Sequence, residues 1–137
     1  MPTETLIDQL MRHEGLRLKP YVCPAGKLSI GVGRNIEEVG ITHEEALYLL
    51  NNDLQRCWME LRSAMPWVVE LPTPAREVLT NMCFNMGISR LMGFKQFLAA
   101  LERKDYATAS IEMLDSKWAR QVGARAVELA GIIRGLK

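Results

Sequence analysis

The sequence predicts an α+β fold, with a small antiparallel sheet joined by a long helix to a helical lobe. Three observations carry that expectation. A short segment, Tyr21 to Ile36, has strand character and is punctuated by Gly26, Gly31 and Gly33. An apolar pattern of helical period then runs without interruption from residue 43 to about residue 64. Beyond Pro66, short helical patterns follow one another, separated by Pro and Gly. The expected units are a sheet lobe over about 13–42, a connecting helix over 43–64 and a helical lobe over 66–137 that also packs the N-terminal helix 3–12.

Taken in order, residues 3–13 read as a helix with Thr3 as N-cap. Leu6, Ile7, Leu10 and Met11 form its stripe, and Gly15 is the stop. Tyr21-Val22, Leu28 to Ile30 and Val32 to Ile36 read as strands, with Cys23-Pro24-Ala25-Gly26 as a turn. Gly31 and Gly33 leave room for something to lie against the backbone. Thr42 followed by Glu45 is a capping box. The stripe behind it contains Ala46, Leu47, Leu49, Leu50, Leu54, Cys57, Trp58 and Leu61, and a helix of that length spans roughly 33 Å. Thr73 and Pro74 read as N-cap and first helical residue, and 74–86 is apolar nearly all round, the pattern of a buried helix ending at Gly87. Further helices are expected near 89–92, 94–102, 105–114, 116–121 and 124–134.

Length and composition bound the function. The chain has 137 residues, 48% hydrophobic and 24% charged, which suits one globular domain with a real core. Its net charge of +1 gives no field for nucleic acid. From Asn85 onward nine Lys/Arg stand against five Asp/Glu, a mild basic bias that suits either an anionic polymer or an ordinary solvated surface. The three cysteines form no disulfide framework, and Cys57 and Cys83 read as small core residues. With only His13 and His43 beside them, no metal site is expected. The N-terminus carries no signal-peptide pattern and no segment approaches a membrane span, so the expectation is synthesis in the cytoplasm.

Glu14, at the end of the first helix, faces Cys23 and Ser29 on the predicted hairpin. A carboxylate at a helix exit beside reactive side chains suits a cleft enzyme. A general acid there must be protonated near neutral pH, which requires an apolar or acidic setting, and the junction suggests partial burial. A cysteine-hydrolase alternative would need a partnered His; His13 is near in sequence, but no third group is evident.

The segment HEGLRLKPYVCPAGKLSIGVG resembles the opening of the phage-type lysozymes, the T-even phage endolysin family of glycoside hydrolase family 24. ITHEEALYLLNNDL resembles that family's interlobe helix. NMCFNMG with Gly93-Phe94 resembles its buried helix, and SKWARQVGARAVEL its C-terminal Trp/Arg segment. The matches fall in order over nearly the whole chain. The resemblance implies a lysozyme-like fold and hydrolysis of the β-1,4 bond between N-acetylmuramic acid and N-acetylglucosamine of peptidoglycan. It implies inversion at the anomeric carbon, no cofactor and a monomer whose partner is the glycan strand. The enzyme would act on the periplasmic wall of the host bacterium after release from the cytoplasm by another factor.

By the same resemblance Glu14 is the catalytic acid and Arg125 its paired arginine. Cys23 stands where most members carry Asp, and Ser29 where they carry Thr. A thiol replaces a general base only when ionised, and Ser keeps the hydroxyl but loses the methyl that restricts its rotamer. Arg34 and Asp53 match a His–Asp pair, so a salt bridge between them is expected. Asn85 and Met86 match the cleft floor, and Gly31 matches the opposite wall. Lys117 and Arg120 are placed to meet the anionic wall polymer or simply face solvent. Trp118 is expected to pack, as are Trp58 and Trp67, with carbohydrate stacking as the alternative. Two altered catalytic positions keep open a second reading, a lysozyme-fold module that binds glycan or protein without cleaving.

Overall fold

The computed structural model describes residues 4–137. The chain forms two compact units, the first running to Tyr48 and the second from Leu49 to Lys137. The architecture is α+β, eight α-helices and one three-stranded sheet among the described residues.

In the first unit, α1 (Leu6–Glu14) is capped by Thr5, whose hydroxyl accepts the Asp8 N–H at 3.0 Å. Thr3, the cap expected from sequence, lies outside the described residues. At the other end Gly15 (φ 77°) turns the chain and returns its N–H to Met11 O. β1 (Arg17–Val22), β2 (Leu28–Gly31) and β3 (Arg34–Asn35) form an antiparallel sheet in sequence order. β1 pairs Arg17 with Gly31 but Tyr21 with Ser29, so β1 carries two extra residues between those pairs. Pro20 sits in that irregular stretch, where a residue without an N–H costs the ladder least. The β1–β2 turn is the one expected: Gly26 N–H reaches Cys23 O at 2.8 Å and Cys23 N–H reaches Lys27 O at 2.9 Å.

The stripe on α1 is present but covers no core. Leu6, Ile7, Leu10 and Met11 are all exposed. A unit of fewer than 50 residues has too little chain to enclose apolar volume of its own, and every residue of the core cluster comes at or after Cys57.

α2 (His43–Ala64) starts in the first unit and continues into the second. Its N-terminus is the predicted capping box: Thr42 N–H donates to Glu45 Oε1 at 2.8 Å and Glu45 N–H to Thr42 Oγ1 at 3.1 Å. Glu45 also accepts Arg34 Nη1 at 2.7 Å. These bonds, the Thr42 N–H foremost, hold the Glu45 carboxyl below the ordinary glutamate range. The apolar stripe of α2 is only partly used. Cys57 and Leu61 are buried and Trp58 half-buried, whereas Leu47, Leu49, Leu50 and Leu54 remain exposed.

The second unit is built on α3 (Thr73–Met86), whose Ala75, Val78, Leu79, Met82 and Cys83 are buried. A 3-10 turn at Pro66–Glu70 links α2 to it. Thr73 is the first helical residue rather than the cap: Pro72 holds the cap position, and Thr73 Oγ1 accepts Arg76 Nη2 at 2.8 Å. Then follow α4 (Ile88–Met92), α5 (Lys95–Glu102), α6 (Tyr106–Leu114), α7 (Lys117–Val122) and α8 (Ala124–Arg134). The helix α8 packs on α3, α6 and α7. No helix among the described residues is long and apolar enough to cross a membrane.

Thr42→Ala removes one half of the capping box and should lower stability by about 1 kcal/mol, read from urea unfolding followed by circular dichroism. An unchanged midpoint would show that the cap adds nothing. Since the folded Glu45 carboxyl titrates below its unfolded value, its own contribution is complete above the ordinary glutamate range and fades as pH falls through the folded value. The destabilisation by Glu45→Gln should therefore shrink in acid.

Candidate active site

The first unit brings Glu14, Cys23 and Ser29 together on one short stretch of chain: a helix end, a hairpin turn and the strand after it. Glu14 is the last residue of α1 and its side chain is exposed, not part-buried as the sequence suggested. The small unit has no apolar body to cover it. What it does touch is the turn between β2 and β3. A Cβ built on Gly33 would stand 2.9 Å from Glu14 Oε2 and 3.2 Å from its carboxyl carbon. The carboxylate thus lies directly on the Cα of Gly33, which has φ 68°. The backbone angle favours glycine, and a Cβ there would push the Glu14 carboxylate aside. The room that sequence foresaw beside the alternate glycines is filled, at Gly33, by the catalytic candidate itself. Gly31 (φ 72°) also has a left-handed backbone, but a Cβ there would meet nothing within 4 Å.

Cys23 is half-buried and opens the β1–β2 turn. Its thiol is held below the ordinary cysteine value, chiefly by the Lys27 backbone N–H. Partial burial opposes that effect, and the Ala25 backbone and Ser29 hydroxyl add to it. The Lys27 ammonium itself pairs with Glu38 at 2.9 Å. Ser29 is buried, at 2% exposure. Its Oγ lies 3.2 Å from Lys27 O, a long bond, and also within reach of the Cys23 sulfur, so its single proton serves one partner at a time.

The expected Arg34–Asp53 pair is not formed. Arg34 donates to Glu45 at 2.7 Å and to Gly40 O at 3.1 Å, while Asp53 accepts Arg56 at 3.0 Å. Glu45 sits in the first turn of α2, directly after the loop that leaves β3. Asp53 stands about 12 Å further along the same helix. Sequence reasoning saw Glu45 only as a capping residue; its spacing from Arg34 carried no further signal.

In the second unit, Asn85 is exposed but its amide oxygen is taken by Trp118 Nε1 at 2.7 Å, leaving the NH2 group to donate elsewhere. Trp118 is buried and meets Phe94 edge-on at 6.2 Å, which is packing, not sugar stacking. Trp58 and Trp67 are half-buried against the core, and Arg76 lies over the Trp58 ring. Met86 is also half-buried. Lys117 and Arg120 are exposed on α7, and Lys117 lines a groove of about 310 Å³ with Arg90, Phe94, Lys95 and Glu112. The partner the structure gives Arg125 is Asn81, whose Oδ1 accepts both Nε (3.0 Å) and Nη2 (2.7 Å). Asn81 had no signal in the sequence beyond being a polar residue on an apolar helix. Burial pushes the Cys83 thiol up to about 12, with Cys57 and Glu60 adding to the effect.

The phage lysozyme family matches residues 11–135, nearly the whole chain. The chain is 32% identical over 130 residues to an endolysin of Acyrthosiphon pisum secondary endosymbiont phage 1, covering 91% of this chain and 85% of that protein. It is 34% identical over 114 residues to an endolysin of Salmonella phage P22, covering 76% and 75%. A probable T4-type lysozyme 2 of Dictyostelium discoideum is 25% identical over 150 residues, covering 88% of each. The chain belongs to the phage lysozyme family and is a glycosidase-type hydrolase with a lysozyme-like α+β fold.

Two measurements probe this geometry. Gly33→Ala forces a side chain into a left-handed backbone and against the Glu14 carboxylate, so it should cost about 1 kcal/mol of stability and roughly 10–100-fold in lytic rate. A variant with wild-type rate would show that the Glu14–Gly33 contact does not position the acid. Iodoacetamide should modify Cys23 well before Cys57 or Cys83, as mapped by peptide mass spectrometry. Its pH midpoint should lie below that of a free thiol, because the folded protein favours the Cys23 thiolate.

Proposed function

We propose that the protein is an endolytic muramidase that hydrolyses the β-1,4 bond between N-acetylmuramic acid and N-acetylglucosamine in bacterial peptidoglycan, lysing the host cell. The observation that carries the proposal is the placement of the Glu14 carboxylate against the Gly33 backbone, in the same small unit as the hydrogen-bonded Cys23 and Ser29. Membership of the phage lysozyme family and likeness to two phage endolysins support the substrate.

In this reading Glu14 is the general acid that gives its proton to the leaving glycosidic oxygen as the C–O bond breaks. Arg125 is held by Asn81, which accepts from two of its three guanidinium nitrogens. Water attacks the opposite face of the sugar with inversion. Cys23 serves that side as thiolate, either accepting the water's proton or facing the positive charge on the ring. The backbone N–H of Lys27 and the Ser29 hydroxyl favour that charged form. The free NH2 of Asn85, together with Met86 and Gly31, would meet the sugars. Lys117 and Arg120 would meet the anionic wall. The protein would work as a monomer on the periplasmic wall, reaching it from the host cytoplasm once another factor opens the way.

The burial of Ser29 and the thiol at position 23 favour a second reading, a glycan-binding module without turnover. Purified protein should clear chloroform-treated Gram-negative cells, and Glu14→Gln should reduce the rate at least about 100-fold. Wild-type protein that pellets with peptidoglycan yet leaves the cells turbid would sink the enzyme reading in favour of the second. Cys23→Asp should keep or raise the rate; a large loss would give the sulfur a role of its own.

A further inference from the structure

The second unit contains a group of side chains that the proposed hydrolysis does not use. Cys57 and Glu60 lie one turn apart on α2, and Cys83 comes from α3. The two sulfurs and a Glu60 carboxylate oxygen all lie within 4.8 Å of one another. Both cysteines are buried, at 4% and 2% exposure. The Cys83 thiol has one weak hydrogen bond, to Cys57 O at 3.9 Å, so little is lost if it turns to another partner.

We propose that Cys57, Glu60 and Cys83 form a binding site for a thiophilic divalent cation of the zinc type. Tetrahedral zinc with two thiolates at about 2.3 Å and a carboxylate oxygen at about 2.0–2.2 Å sets its ligand atoms roughly 3.5–3.8 Å apart. The group as it stands closes to that size with side-chain movements of about 1 Å, within ordinary rotamer adjustment. Two sulfur ligands select zinc, cadmium or cobalt over magnesium and calcium.

The fourth position belongs to water. Of the three ligands Glu60 is the one that faces solvent, lining a groove of about 630 Å³ with Asn52, Gln55, Arg56 and Ser63. As each metal–sulfur bond forms, the thiol proton leaves to solvent. A carboxylate beside two buried sulfurs gains nothing from them while no cation lies between. The neighbouring cation Arg56 is already engaged by Asp53 at 3.0 Å. An ion at this point offsets the charge of all three ligands and ties α2 to α3 at the edge of the helical core.

The experiment is titration of the reduced, full-length protein with Co²⁺ and then Zn²⁺. Expected are one equivalent bound, a thiolate-to-cobalt charge-transfer band and its displacement by Zn²⁺. Cys23→Ser should keep the band. Glu60→Gln changes a side chain that lines the open groove, so it should fold normally while binding Co²⁺ at least tenfold more weakly. Cys83→Ser should lose the band. Three results would overturn the site: no band in the wild-type protein, a band lost in Cys23→Ser, or a band unchanged in Glu60→Gln and Cys83→Ser, meaning an adventitious ion only. Loss of both thiols to a disulfide with no metal uptake would likewise replace the site with a redox pair. None of these readings depends on lytic activity.

Discussion

A carboxylate can rest on a polypeptide backbone only where no Cβ stands in the way, and the first unit is arranged around one such place. Gly33 has a left-handed φ of 68°, and the Glu14 carboxylate occupies the space its missing side chain leaves. Local turns set the path of the chain around them. Gly15 turns the chain out of α1, the irregular pairing around Pro20 lets β1 follow, and the tight turn at Cys23–Gly26 sends β2 back. The unit has almost no core, so hydrogen bonds and backbone geometry supply the order that burial supplies elsewhere.

The second unit is governed by the opposite rule. Its core is made from α3 outward, and its polar contacts sit where a helix must be fixed in place: Trp118 on Asn85, Arg125 on Asn81. Trp118 was expected to pack and Arg125 to pair with Glu14; the asparagine partners of both come from α3. Asn85 illustrates the division of labour within one amide. Its oxygen holds a buried indole, and its NH2 group is what remains for a ligand.

Features set by neighbours in sequence were legible from the sequence. The Thr42–Glu45 box, the Gly15 and Gly87 stops and the Cys23 turn are local, and each formed as the residue types require. Features set by partners distant in the chain were not. The choice of Glu45 over Asp53 by Arg34 depends on where α2 begins relative to β3. The exposure of Leu47, Leu49, Leu50 and Leu54 depends on what surrounds the helix, whereas their spacing reports only which face they share. At the candidate site Glu14, Cys23 and Ser29 could be picked out by residue type and by resemblance. That Gly33 lies against Glu14 and that Ser29 is buried follow from the folded chain alone. The meeting of Cys57 and Glu60 with Cys83, on a different helix, is of the same kind.

All three tryptophans, Trp58, Trp67 and Trp118, belong to the second unit, and each is buried or half-buried there. Indole emission therefore reports the helical core in which these three side chains sit. The aromatic reporter of the sheet is Tyr21, which lies under the Arg17 guanidinium at 4.9 Å. Following tyrosine and tryptophan separately in an optical melt would therefore read Tyr21 in the sheet and the indoles in the helical core as two distinct signals.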